Sequence, residues 1–132
     1  MRHMSFMLTT PQMHARTKTV TRRVGWKHLR PGDTLLAIEK GQGLKRGEKV
    51  KPIGQIRIVS VRQQQLSALI ARPAYGAEEA RKEGFPHMDG EQFLEFFLDN
   101  NPALLPRHMV TRIEFEHIDP APVAGRAEGT GR

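Results

Sequence analysis

Apolar positions along the chain fall into short runs whose spacing alternates between the two-residue period of strands and the 3.6-residue period of helices. The clearest strand pattern is Ile53 to Arg62. Within it Ile56 and Ile58 share one face while Val59 and Val61 share the other, and such a change of phase predicts a bulge or burial on both faces. Thr34 to Glu39 reads as a strand, as does Met109 to Ile118, where Ile113 and Phe115 lie on one face. Ser5 to Thr9 reads as a short first strand, and the β-branched stretch Thr19 to Val24 as extended chain.

Helices are inserted between these runs. Thr10-Pro11 resembles a cap followed by proline in the first helical position, with a short helix through Arg16. Trp26 to Leu29 predicts one helical turn. Leu66 to Ile70 fits a short helix or a strand. Ala77 to Glu83 has helical composition and is ended by Gly84. Asp89 to Asn100 is the strongest helix: Asp89 caps it and Gln92, three residues on, completes a capping-box pattern. Its Phe93, Phe96 and Phe97 stand at i, i+3 and i+4, the spacing of a core face. Arg30-Pro31-Gly32-Asp33 marks a turn. Gly41 to Lys51, rich in glycine and lysine, predicts a loop or exposed hairpin tip. From Asp119 the chain is rich in Pro, Ala and Gly without apolar periodicity, so the expectation is one domain over residues 1–118 and a flexible tail over 119–132.

Many short strands with a few inserted helices predict an α+β fold, a small curved sheet or barrel with short flanking helices. Regular strand–helix alternation, which a doubly wound sheet needs, is missing. The 132 residues suit a single core. No apolar run approaches the roughly 20 residues of a membrane span, and no secretory pattern opens the chain. Cysteine is absent, which excludes disulfides and thiolate metal ligands. The expectation from these features is a cytoplasmic protein with no membrane partner.

Charge alters the picture. The formal net charge is +7, which favours polyanionic partners or anionic ligands. The cations are clustered: Arg16, Lys18, Arg22, Arg23, Lys27, His28 and Arg30 in one stretch, Lys40, Lys45, Arg46, Lys49 and Lys51 in another. The first stretch places a lysine, three threonines and several arginines on a short turn-to-strand element. In a regular strand Lys18 and Thr21 would point to opposite faces, so they meet only if the chain bends between them. If they meet, threonine gains the adjacent base that it needs as a nucleophile. Lysine becomes such a base when burial or neighbouring positive charge lowers its pKa. The plainer reading is strand propensity for the threonines and a solvated face for the cations.

Lys18-Thr19-Val20-Thr21-x-Arg23, followed by Arg30-Pro31-Gly32-Asp33 before an apolar strand, resembles the opening of ASCH-domain proteins. Ile56 to Val61 resembles the family's central strand, Ala80 to Phe85 its acidic residue and Gly-Phe step, and Val110 to Phe115 its closing strand. The resemblance spans residues 5–118. It implies a PUA-like β-barrel with a cleft lined by the threonine-rich segment, and a partner that is RNA or a modified nucleoside. One branch of the family removes the acyl group of N4-acetylcytidine and related N4-acylcytidines without a metal or cofactor, using a lysine, a threonine and a glutamate. These fall on Lys18, Thr21 and Glu83. Arg23 matches a motif arginine that would hold the substrate, with Thr19 and Trp26 beside it as further candidates for substrate binding, and the clustered charge makes Arg22, Lys27, Lys40, Lys45 and Arg46 the candidates for RNA contacts. A non-catalytic RNA-binding module and a ribonuclease of the same fold are the alternatives.

Other residues remain open at this level. Trp26, the only tryptophan, either stacks on a base or packs against the core. None of the six histidines has His-x-x-x-His spacing, so no metal site is expected. Gly41-Gln42-Gly43 lacks the rest of a dinucleotide fingerprint. Glu78, Glu79 and Glu83 read equally well as the solvated face of a short helix.

Overall fold

The computed structural model describes residues 1–119. The expected tail lies outside the described residues except for Asp119, whose carboxylate accepts a hydrogen bond from Arg16 Nη2 at 2.6 Å. Five strands form a single sheet: β1 (His3–Ser5), β2 (Val20–Arg23), β3 (Thr34–Ile38), β4 (Pro52–Gln65) and β5 (Met109–Ile118). Their order is β1-β3-β4-β5-β2, with β1 parallel to β3 and the remaining pairs antiparallel. Four helices complete an α+β fold: α1 (Thr10–His14), α2 (Ala68–Ala71), α3 (Pro73–Lys82) and α4 (Gly90–Asp99).

The expected barrel does not close. β1 and β2 are the two edges, and among the described residues no ladder joins them. The first strand is also displaced. Pairing stops at Ser5, and Met7–Thr9 forms a 3-10 turn that runs into α1. Thr10 Oγ1 donates to the Phe6 carbonyl at 2.9 Å, and Pro11 lacks the N–H that a further strand pair would use.

The phase change in β4 is a bulge. Ile58 pairs Phe115 and Ser60 pairs Glu114, leaving Val59 without an opposite residue and 43% exposed. Beyond the bulge Val61 returns to the side of Ile56 and Ile58, packed on the same apolar cluster. That cluster, with Met4, Phe6, Leu35, Ile113 and Phe115, fills the curve of the sheet. A second cluster lies under the helices, where Leu66, Leu69, Ala80, Phe85, Phe93, Leu94 and Val110 pack together. The capping box on α4 is present in both halves: Gln92 N–H donates to Asp89 at 2.8 Å and Asp89 N–H to the Gln92 side chain at 2.9 Å. Among the described residues no helix is long and apolar enough to cross a membrane.

Candidate functional site

Lys18 stands just outside the regular strand, and the chain bends before it. Arg16 takes a left-handed conformation (φ 61°), and Thr17 N–H returns to the Gln12 carbonyl at 3.0 Å. His117 Nε2 lies 2.7 Å from the Lys18 carbonyl oxygen. Thr19 N–H donates to the Lys82 carbonyl at 2.8 Å, and the Thr19 carbonyl accepts from Phe115 N–H at 2.9 Å. The segment is thereby held between the end of α3 and β5, with Lys18 and Thr21 both lining one cleft of about 760 Å³. That volume is within the range of small-molecule pockets, about 300–1,000 Å³.

Glu83 reaches the same cleft from the C-cap of α3. Gly84, at φ 104°, turns the chain there, and a Cβ in its place would come within 2.8 Å of the Gln12 side chain. Lys18 Nζ donates to Glu83 twice, to Oε1 at 2.7 Å and to the carbonyl oxygen at 2.9 Å. The other carboxylate oxygen accepts from Arg22 Nη1 at 2.9 Å. Arg22 Nη2 continues to Glu79 Oε1 at 2.5 Å and to Gln64 at 2.8 Å. Glu79 is gripped in turn by Arg112 through Nε at 2.6 Å and Nη2 at 3.0 Å. Lys18, Glu83, Arg22, Glu79 and Arg112 thus form a buried chain of alternating charge, each residue at most 3% exposed.

Thr21 does not share that chain. Its hydroxyl oxygen accepts from Arg23 Nε at 3.0 Å, which leaves its own proton free to be given away. Arg23 is fixed by donating to the Ser5 carbonyl at 2.6 Å and by lying 4.7 Å from the Phe6 ring centre. Burial lowers the Arg23 guanidinium to about 10, against the pull of Glu83. Burial also pushes Lys18 below the ordinary lysine value. Glu83 opposes that fall, while Arg23 and Arg22 add to it.

Trp26 lines the cleft, half-buried against the main core, and sits in the left-handed region at φ 56°. A bulky residue held in that strained conformation is characteristic of functional loops. Lys40 is at the cleft wall, 3.9 Å from Glu48, whereas Lys27, Lys45 and Arg46 are exposed and outside the lining. Thr19 also lies outside the lining; its backbone fixes the segment.

Burial decides where two of the charged residues stand. Arg22, expected to contact RNA, has a fully buried side chain committed to two carboxylates. Of Glu78, Glu79 and Glu83, which read equally well as a solvated face, only Glu78 is at the surface, paired with Arg81, while Glu79 is 1% exposed. The one sequence signal for this chain of charges was the i, i+4 spacing of Glu79 and Glu83, which stacks both on one helix face. Among the described residues no group of three or more metal-ligating side chains comes together.

The chain is similar to solved structures. A protein of Enterococcus faecalis V583, described by the family model DUF984, superposes with a TM-score of 0.56 at 16% identity, over 85% of this chain and 68% of that one. An ASCH domain from Lactobacillus crispatus JV V101 aligns with a TM-score of 0.48 at 14% identity, over 88% of this chain and 79% of that one. No family model and no curated protein matches the sequence. At such identities the likeness to the Enterococcus protein speaks for the fold alone.

Proposed function

We propose that the protein is a metal-free amidohydrolase that removes the acyl group from N4-acetylcytidine or a related N4-acylcytidine, with the site built as in the ASCH-type enzymes that its motifs resemble. The observation that carries this reading is the convergence of Lys18, Thr21 and Glu83 on one cleft, with Lys18 desolvated and held on Glu83. Thr21 Oγ attacks the acyl carbon while its proton passes to Lys18 Nζ, which must be neutral to receive it. The Arg23 Nε–H, bonded to the threonine oxygen, eases loss of its proton, and the negative charge of the tetrahedral intermediate gathers on the acyl carbonyl oxygen. The bond from the acyl carbon to N4 then breaks, and the proton moves from Lys18, directly or through Glu83, to the departing amine. Cytidine leaves, and water hydrolyses the threonine ester to a carboxylic acid and free Thr21.

In the resting structure Lys18 Nζ donates to Glu83 and not to Thr21, so the base–nucleophile contact has to form when substrate enters. Hydrogen bonds of this kind often tighten only in the substrate complex. Trp26 offers a flat face to the pyrimidine.

The test is cytidine release from N4-acetylcytidine by the purified protein, followed chromatographically, beside Lys18→Ala, Thr21→Ala and Glu83→Ala. Release by the unaltered protein and a loss of at least about 100-fold in each variant, the scale of a lost acid–base partner, supports the reading. An inactive parent protein, across acyl groups of different size, sinks it. A non-catalytic RNA-binding role is the second reading, favoured by Lys40 at the cleft wall and the exposed cations Lys45 and Arg46 on the loop that follows it.

A further inference from the structure

One end of the cleft is not explained by acetyl transfer. Beyond Glu83 and Gly84 the lining is mainly aromatic, with Phe85, then Phe93, Phe96 and Phe97 from α4 and the amides Asn100 and Asn101 at that helix's end. Phe96 and Phe97 are only partly buried, although they pack on the second core. The 3-10 turn supplies Met7 and Leu8 to the same cleft. These two are 60% and 52% exposed and add apolar surface to the cleft that a ligand there would cover. Phe85 lies 4.9 Å from Phe96 and 5.8 Å from Phe93 between ring centres, so the wall is a continuous set of tilted aromatic rings.

We infer that this apolar end is an acyl subsite, and that the substrate carries a bulky apolar group, aromatic in the best case, on the acyl carbon where N4-acetylcytidine carries a methyl. The inference rests on the amidohydrolase reading and names its substrate class. Its connection to the chemistry is covalent: only Gly84 separates Glu83, which serves the departing amine at the scissile amide, from Phe85, at the start of the wall. A short acyl group would leave Met7, Leu8 and the exposed edges of Phe96 and Phe97 in contact with water, with the buried Phe85 and Phe93 behind them. A larger one removes that apolar surface from water, and an aromatic ring additionally meets the phenylalanines edge to face. The reaction is unchanged in balance: the acyl–N4 bond breaks, water is consumed, and the products are cytidine and an aromatic or branched carboxylic acid.

The experiment compares kcat/KM for N4-acetyl-, N4-isobutyryl- and N4-benzoylcytidine, each divided by its rate of hydrolysis in alkali to remove intrinsic reactivity. The benzoyl compound is expected to exceed the acetyl compound by at least about 10-fold, the discrimination that a few buried carbons supply. Leu8→Ser and Phe96→Ala should each lower the benzoyl-to-acetyl ratio by at least about fivefold. Leu8 is exposed, so its variant decides the matter if Phe96→Ala fails to fold. Acetyl turnover with a normalised benzoyl-to-acetyl ratio at or below one, or a ratio unmoved by Leu8→Ser, overturns the subsite and leaves the amidohydrolase reading standing. No release from any of the three compounds overturns both.

Discussion

Five ionisable side chains share one buried network, and each depends on its neighbour. Glu79 shows the consequence. Burial alone would raise its pKa, but hydrogen bonds from Arg112 and Arg22 and their charges outweigh that and hold it at about 2, against an ordinary 4.5. A carboxylate with a depressed native pKa stabilises the fold above its unfolded value, and that contribution is lost as pH falls toward the native one. The window is therefore pH 4.5 down to about 2, and the loss across it is on the order of 3 kcal/mol. Urea titrations at several pH values should show this fall in the parent protein and a flatter profile in Glu79→Gln. That variant should also lose about 3–5 kcal/mol at neutral pH, because two buried guanidinium groups are left short of charge. Lys18 gives the complementary prediction for activity. Its pKa is lowered, and a general base must be neutral, so kcat should climb with pH through a value below the ordinary 10.5. A rate that falls over that range would exclude Lys18 as the base. The pattern of residue types brought out Lys18, Thr21 and Glu83 through family resemblance. It said nothing of Arg112 or Gln64, because Gln64 is 42 positions from its partner Arg22 and Arg112 is 33 from its partner Glu79, and local spacing carries no information about such pairings.

Helix α4 was legible down to its cap, because capping chemistry is written within four residues. Its seat was not legible. Gly76 of α3 and Gly90 of α4 meet over the end of α2, and a Cβ on either would strike the Leu69 carbonyl oxygen and the Cα of the other glycine. Neither position demands an unusual backbone; both are glycine because three helices approach there within backbone contact, a tertiary fact without a local signature. Gly90→Ala should therefore destabilise by about 1–3 kcal/mol, as overpacking does, despite alanine's better helix propensity. Equilibrium urea unfolding checks it. A stabilised Gly90→Ala protein would mean that α4 can slide on α2, and the aromatic wall that α4 presents to the cleft would then not be fixed. The bulge in β4 was foreshadowed by the switch of apolar phase at Val59, since phase along a strand records which face is buried. Closure of the sheet depends on whether β1 and β2 reach each other, and three and four residues of edge strand contain no pattern that states it.

The basic character of the whole molecule is distributed unevenly, and this separates the two functional readings. The cations of the first stretch divide on folding: Lys18 and Arg22 are drawn inside and neutralised by Glu79 and Glu83, so they add nothing to an external field. The loop between β3 and β4 keeps Lys45, Arg46 and Lys49 exposed, next to the cleft that its own Lys40, Gly41, Gln42 and Val50 help to line. If the substrate base belongs to an RNA strand, its phosphates would run along this loop. Neutralising phosphates releases counterions, so affinity for a short single-stranded RNA would fall with salt, with a logarithmic slope of about −0.7 per contact. Replacing Lys45, Arg46 and Lys49 together by alanine should then reduce that slope by roughly 2, measured by fluorescence anisotropy across a salt series. The buried Arg22 was expected from its neighbours in sequence to share these contacts; because it is enclosed, a fourth substitution there should not reduce the slope further. A slope that is shallow in the parent protein and unchanged by the triple substitution would restrict the substrate to a free nucleoside, whose recognition needs only the cleft.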